Sequence, residues 1–218
     1  MQNPQQNQNK FEILRMPPEN TNSVLVACGA DAAIFDPWGR ADDWSRVLDA
    51  RGLTLREIYA THGHPDHISA AADLSHKYNA PWYMSPADNS LIGWGSELLD
   101  FFSIPHICAH SANPSPIVPG RRNVLGKIPM DIIAAPGHTP GGLCFYFPNE
   151  KILLTGDTVF HDGFGRYDFP GGNQQVLFQS ISNLYNMNLP ADTYVVHGHG
   201  ADSTIAGLKE SNPYFRAI

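Results

Sequence analysis

The chain has little cysteine, little positive charge and no long apolar run. Its three cysteines, Cys28, Cys108 and Cys144, are odd in number and far apart, so we expect no disulfide framework and a reducing compartment, the cytoplasm. Lysine and arginine number 14 against 21 acidic residues, and the resulting net charge of −7 argues against a nucleic-acid partner. No run of about 18 apolar residues is present, which excludes a membrane-spanning helix.

The N-terminus also lacks the features of a targeting segment. Residues 1–10 are polar, with neither a basic start nor an apolar stretch, so we expect a disordered tail rather than a signal peptide or membrane anchor. The rest of the chain contains no linker-like segment. Because 218 residues that are 42% hydrophobic can bury one substantial core, we predict a single domain over residues 11–218.

What the chain does have is a dense group of metal-ligand side chains in the segment 61–67. Three imidazoles and one carboxylate fall within six residues there, at His62, His64, Asp66 and His67. Imidazole nitrogen and carboxylate oxygen together suit zinc, iron or manganese, whereas calcium and magnesium favour oxygen alone. The segment therefore predicts a site for one of the first three metals.

Polar ligand candidates follow four short apolar runs that have the character of buried strands. The runs are 58–60 before the first cluster, 132–135 before His138, 152–155 before Asp157, and 194–196 before His197 and His199. If the four strands belong to one sheet, their ends bring these side chains together at one edge. A glycine beside each cluster suits backbones that turn sharply around a small site.

These clusters resemble the motifs of the metallo-β-lactamase superfamily. The motifs are His-x-His-x-Asp-His at 62–67, Gly-His-Thr-x-Gly-Gly at 137–142, Thr-Gly-Asp-Thr at 155–158 and Gly-His-Gly at 198–200. More narrowly, Gly-Arg-Tyr-Asp-Phe-Pro-Gly-Gly at 165–172 and the tail from residue 198 resemble small glyoxalase II-like hydrolases. The resemblance implies an α+β fold, a four-layer αββα sandwich with two sheets inside and helices outside.

The resemblance also implies two divalent metal ions, zinc first and iron or manganese as alternatives. The implied ligands are His62, His64 and His138 for one ion, Asp66, His67 and His199 for the other, and Asp157 as a bridge. His197 stands where relatives often have other residues, so we expect it to lie beside the site without binding metal.

The implied reaction is hydrolysis of a thioester or related activated ester by a metal-bridging hydroxide. Two ions can share one water, lower its pKa and polarise a carbonyl, so no serine or cysteine nucleophile is needed. We expect Asp66 to orient the hydroxide and handle its proton. S-lactoylglutathione is the candidate substrate. Glutathione recognition itself does not carry over, because full-length glyoxalase II enzymes have a helical domain after the last ligand and here 19 residues follow His199.

Three alternatives to this hydrolase remain open. A persulfide dioxygenase is a relative that uses one iron, but the second set of ligands is retained here and favours hydrolysis. A lactonase or β-lactamase would differ only in the shape of the pocket. A non-catalytic protein of the same fold would be expected to lack ligands, and none is missing.

Three further residues are candidate contacts for a small-molecule substrate, namely Arg166, Tyr167 and His161. Arg166 has an alternative role, an ion pair with Asp168 that braces the loop, and this role is favoured. His76 lies on a predicted helix and is expected to be a surface or packing residue rather than a ligand. The segment 85–123 has no clear period and is either a lid over the site or a surface helix followed by an irregular connection, of which the second is favoured.

Local patterns predict several elements. Residues 23–28 and 32–36 form a hairpin joined by residues 29–31, and a helix begins at Asp42 as its cap and ends at Gly52. Helical spacing recurs over residues 177–185 and again after Thr204.

Overall fold

The computed structural model describes residues 9–15, 21–92, 100 and 113–216, and two six-stranded sheets dominate them. In the first sheet the strands lie in chain order: β1 Lys10–Arg15, β2 Asn22–Cys28, β3 Asp31–Phe35, β4 Thr54–Tyr59, β5 Trp82–Met84 and β6 Ser115–Pro116. The first three are antiparallel and the rest join in parallel.

The second sheet has the order β12-β11-β10-β9-β8-β7. Its strands are β7 Gly120–Val124, β8 Ile128–Ala134, β9 Leu143–Phe147, β10 Ile152–Gly156, β11 Tyr194–His197 and β12 Ser203–Thr204. All neighbours are antiparallel except β10 and β11. The helices are α1 Ala41–Arg51, α2 Pro65–Ile68, α3 Ala71–Tyr78, α4 Asn89–Ile92, α5 Gln174–Asn186 and α6 Ile205–Ser211, with a short 3-10 helix, Pro86–Asp88.

The core consists of three apolar clusters between four layers. Phe35, Tyr59 and Phe145 belong to the cluster between the two sheets. Trp44 of α1 and Leu74 of α3 belong to a second cluster on the outer face of the first sheet. A third cluster joins α5 and α6 to the second sheet and includes the following side chains: Leu177, Ile181 and Leu208. Because helices cover the outer face of each sheet, β9 is buried along its whole length. The predicted αββα sandwich is confirmed.

The hairpin and the helix ends largely follow the local sequence. β2 and β3 are paired up to Cys28 and Asp31, and Gly29 in the turn between them adopts the left-handed conformation with φ 64°. Asp31 was predicted to lie in the turn, but it is the first residue of β3. Gly52 ends α1 as predicted, with φ 62°. The predicted cap was wrong, because Arg40 precedes the helix and Asp42 lies in its first turn.

Two other expectations need correction. The strands that precede the metal-ligand motifs belong to two sheets rather than one, because β4 lies in the first sheet while β8, β10 and β11 lie in the second. Lys10, assigned to the disordered tail, is the first residue of β1 and pairs with Ala27 of β2.

The question of a lid falls on a segment, 85–123, of which residues 93–99 and 101–112 lie outside the described part of the chain. The described beginning of the segment forms the 3-10 helix and α4. No helix in the described residues is long and apolar enough to cross a membrane.

Candidate metal centre

All seven predicted ligands meet at one end of the sandwich, where strands of both sheets stop. His62 and His64 lie between β4 and α2, while Asp66 and His67 lie on α2 itself. The other three are on the second sheet side: His138 between β8 and β9, Asp157 directly after β10 and His199 just beyond β11. The ends of the two facing sheets therefore form the site together.

Three buried imidazoles form the first group of converging donor atoms. His64 Nδ1 lies 3.1 Å from His62 Nε2 and 2.9 Å from His138 Nε2. The three residues are between 2 and 5% exposed. Together they form one of the donor groups in the described residues whose atoms lie close enough to share an ion.

A second group lies beside the first and is more open to solvent. His199 Nε2 lies 3.1 Å from Asp66 Oδ2 and 3.4 Å from His67 Nε2. The distance from His67 Nε2 to Asp66 Oδ2 is 3.6 Å. The Asp66 side chain remains 23% exposed and that of His199 33% exposed, so this side of the site faces the opening.

Asp157 lies between the two groups and contacts both. Its Oδ2 is 3.6 Å from His138 Nε2 of the first group and 3.5 Å from His199 Nε2 of the second. Its Oδ1 is 3.4 Å from His67 Nε2. This position between the groups is the one a bridging carboxylate requires.

The spacing of the donor atoms fits bound ions. Ligands at about 2.0–2.1 Å around a tetrahedral zinc ion lie roughly 3.3 Å from one another. The donor-atom distances given above within the two groups run from 2.9 to 3.6 Å. The donor set, imidazole nitrogen with carboxylate oxygen, also suits zinc, iron or manganese. The residues present therefore fit two metal ions.

The charge states of the first group suit metal binding. Burial, together with the neighbouring imidazoles, lowers the pKa of His62 well below its usual range. The same effects, with His138 as the main neighbour, lower the pKa of His64 to about 4. Both rings are thus neutral near pH 7, the form in which imidazole binds a metal.

The carboxylates of the site are ionised. Burial opposes their charge, but His67 and His199 outweigh it, lowering the pKa of Asp66 to about 2 and that of Asp157 well below its usual range. Conversely, burial disfavours the His67 cation while Asp66, Asp36 and Asp157 raise the pKa of His67 well above its usual range. Three carboxylates, Asp36, Asp66 and Asp157, thus surround a space that attracts positive charge.

A carboxylate that the sequence reading missed, Asp36, holds this part of the site. It accepts hydrogen bonds from the Thr61 backbone N–H at 2.7 Å and the Thr61 hydroxyl at 2.8 Å. Thr61 Oγ1 lies 3.0 Å from His62 Nδ1, and Asp36 Oδ2 lies 3.0 Å from His67 Nδ1. Asp36 therefore orients rings in both groups. Its position just after a strand was an available signal, since the ligand motifs also follow strands.

The loop 165–172 contacts the site through its backbone. The Arg166 carbonyl accepts a hydrogen bond from His138 Nδ1 at 2.6 Å, which fixes the orientation of that ring. The Arg166 guanidinium pairs with Asp168 at 2.9 and 2.7 Å and lies 4.2 Å from the centre of the Phe169 ring. The side chain thus makes the bracing ion pair, and as a substrate contact Arg166 remains a prediction.

The remaining histidines take different places. His197 is buried and belongs to none of the donor groups found in the described residues; its Nδ1 donates to the Val159 carbonyl at 2.6 Å and its Nε2 accepts from the Ser203 hydroxyl at 2.8 Å. His76 is exposed on α3, as expected. His161 is exposed beyond Asp157, and its role as a substrate contact remains a prediction.

Aromatic rings flank the centre. The Phe169 ring lies 5.8 Å from the His64 ring, and the Phe160 ring lies 6.2 Å from the His199 ring. Both phenylalanines are half-buried. Tyr167, the other candidate contact, instead stacks on Phe164 with ring centres 6.2 Å apart and packs against the α5 cluster. Apolar walls therefore border the site on two sides.

The sequence profile described as the metallo-beta-lactamase superfamily matches residues 16–199. The chain belongs to this superfamily. Superfamily members are hydrolytic metalloenzymes, and the αββα fold and the donor groups described above agree with that class.

Superfamily relatives are similar over nearly the whole chain. The probable metallo-hydrolase YqgX of Bacillus subtilis is 31% identical, with 94% of this chain and 97% of the relative covered. The hydroxyacylglutathione hydrolase GloC of Haemophilus influenzae is 33% identical, with 86 and 88% covered. Among solved structures, TTHA1623 in a di-iron-bound form superposes with a TM-score of 0.84 at 29% identity, covering 93% of this chain and 99% of that one.

Proposed function

We propose that this protein is a dinuclear metal-dependent hydrolase that acts on a thioester or a related activated ester of a small molecule. The observation that carries the proposal is the position of Asp157 between two complete donor groups. A single-ion enzyme would not need Asp66, His67 and His199 to converge as they do. The similarity to GloC, named as a hydroxyacylglutathione hydrolase, supports the choice of thioester.

We assign one ion to His62, His64 and His138, the other to Asp66, His67 and His199, and a bridging role to Asp157. When bound, two divalent ions supply Lewis acidity and bring the pKa of a shared water near neutrality. Zinc is our first expectation, and the di-iron form of TTHA1623 supports testing iron beside zinc and manganese.

The protein's own groups position the reactants. Asp66 is ionised, partly exposed and directed towards His199, so it can accept a hydrogen bond from the attacking water. A carboxylate with a pKa of about 2 holds a proton poorly at neutral pH, which favours orientation of the water over proton storage as its main role. Phe160 and Phe169 border the centre on two sides, and this apolar border supports shielding of the reacting carbonyl from bulk water.

Elemental mass spectrometry on protein purified without added metal tests the metal assignment. We expect close to two ions per chain. A single iron per chain, with no second metal taken up on titration, would overturn the dinuclear assignment and favour persulfide oxygenation, which an oxygen electrode would detect.

A substrate panel tests the reaction. We expect hydrolysis of S-lactoylglutathione or a simpler acyl thioester by the two-metal protein, and weaker hydrolysis of lactones and β-lactams. The panel includes β-lactams because the chain is 29% identical to BLEG-1, a B3 metallo-beta-lactamase whose structure superposes with a TM-score of 0.82. A clear preference for a lactone or β-lactam would replace the thioester proposal.

A further inference from the structure

A buried carboxylate outside the predicted ligand set joins the loops that carry the first three histidines. Asp88 lies at the end of the 3-10 helix Pro86–Asp88 and is fully buried. Its Oδ2 accepts hydrogen bonds from the Gly63 backbone N–H at 2.9 Å and the Thr139 hydroxyl at 2.8 Å. Its Oδ1 accepts one from the Gly141 backbone N–H at 2.5 Å.

The three donors are next to ligands of a single group. Gly63 separates His62 from His64, Thr139 directly follows His138, and Gly141 is two residues further along. The first loop follows β4 of the first sheet and the second follows β8 of the second sheet. One carboxylate thus connects the two sheets at the point where the three imidazoles converge.

Both loops pass Asp88 at backbone contact distance. A Cβ atom added at Gly63 would lie 3.0 Å from both the Cβ and the carbonyl oxygen of Asp88. One added at Gly141 would lie 2.7 Å from the Asp88 carboxylate carbon and Oδ1. Glycine at these positions lets a buried carboxylate bind the loops directly, and a backbone N–H held in this way fixes the direction of the neighbouring side chains.

The second donor group does not depend on these bonds. The Asp88 carboxylate bonds only to the two loops above within the described residues, whereas Asp36 contacts His67 directly and Asp66 lies on α2. We therefore expect a change at Asp88 to act first on His62, His64 and His138, because the contacts of Asp66, His67 and His199 with one another and with Asp36 do not pass through Asp88.

We propose that Asp88 is a positioning residue that sets the metal affinity of the three-histidine group separately from that of the Asp66, His67 and His199 group. The inference rests on the proposed two-ion centre. A carboxylate that accepts three hydrogen bonds from these loops acts on the ligands through the backbone and the threonine beside them. Loss of such outer partners typically weakens metal affinity by about 10- to 100-fold.

Asp88→Asn is the main test, because the side-chain amide keeps the volume but turns an N–H₂ group towards at least one of the three donors. Metal-free protein is titrated with Co²⁺ against a competing chelator, and the visible absorption of bound Co²⁺ is recorded. We expect one of the two ions to bind about 10- to 100-fold more weakly, with an altered spectrum, and the other to bind as in the parent.

Controls separate positioning from general destabilisation. Leu48→Ala removes core packing of α1 on the outer face of the first sheet and should leave both Co²⁺ affinities unchanged. Thr139→Val removes one of the three hydrogen bonds with little change in volume and should weaken the same ion by a smaller factor, while Thr139→Ser keeps the hydroxyl and should restore parent affinity. If Asp88→Asn does not fold, the comparison of Thr139→Val with Thr139→Ser tests the proposal instead.

The outcomes distinguish this inference from the proposed function. Two parent-like affinities in Asp88→Asn and Thr139→Val, or an equal loss at both ions, would overturn the role of Asp88 while leaving the two-ion hydrolase intact. A parent protein that takes up only one Co²⁺ ion would overturn the proposed function itself, and with it the selectivity inferred here.

Discussion

At the scale of single residues, the charge and position of Asp157 decide how many ions the site can hold. Asp157→Ala removes the carboxylate that lies between the two groups, with contacts to His67, His138 and His199. We expect lower metal content and a loss of more than about 100-fold in hydrolysis, since loss of even an outer partner costs about 10- to 100-fold in metal affinity or activity. Elemental analysis and initial rates measure both effects. Full activity in this variant would contradict the dinuclear assignment.

His197 and His199 are two residues apart, yet their environments predict different effects of an alanine substitution on metal content. His197→Ala removes hydrogen bonds to the Val159 carbonyl and the Ser203 hydroxyl, so it should lower the free energy of unfolding by about 1–3 kcal/mol and keep both metals. His199→Ala should lose one metal. Denaturant unfolding and elemental analysis on both variants give the comparison, and loss of a metal from His197→Ala would show that the ligand was misassigned.

At the scale of elements, the loop after β10 supports the site through close backbone packing. A Cβ atom on Gly165 would lie 1.9 Å from the Asp157 carbonyl oxygen and 2.9 Å from His138 Nδ1. Gly165→Ala must therefore push the loop away and lengthen the hydrogen bond from His138 to the Arg166 carbonyl, which is now 2.6 Å. We expect weaker metal binding, measured by competition with a chelator.

Gly163 in the same loop provides the matched control. A Cβ atom there would meet nothing within 4 Å. Gly163→Ala should therefore retain parent metal affinity. Equal affinities in Gly163→Ala and Gly165→Ala would contradict the view that the close approach to Asp157 and His138 matters for the site.

At the scale of the whole molecule, metal binding should stabilise the sandwich because the donors come from both sheets. Ions that bind only the folded state add stability by mass action, about 4 kcal/mol when the free ion exceeds Kd by 1,000-fold. We expect a lower Tm after chelation and recovery on adding metal back, as measured by scanning calorimetry. Asp157→Ala should show a smaller shift. An unchanged Tm in the parent after verified metal removal would contradict this coupling.

Much of the fold was readable from local sequence. The apolar runs before the motifs correspond to β4, β8, β10 and β11, and the helical spacing over residues 177–185 lies within α5. The hairpin turn was predicted because Gly29 and its neighbours are typical turn residues. The assignment of the four strands to one sheet was wrong because an apolar run shows that a strand is buried, not which sheet it joins.

The sequence by itself determined the donor side chains, because their types and their spacing within a motif are local properties of the chain. Tertiary structure decided which groups hold the donors in place. Asp36 and Asp88 lie 25 residues from Thr61 and Gly63, respectively, in the chain, and Asp88 lies 53 residues from Gly141. No periodicity or motif links residues so far apart. The parallel pairing of β3 with β4 brings Asp36 within 3 Å of Thr61, and the packing of the two sheets brings Asp88 within 3 Å of Gly141.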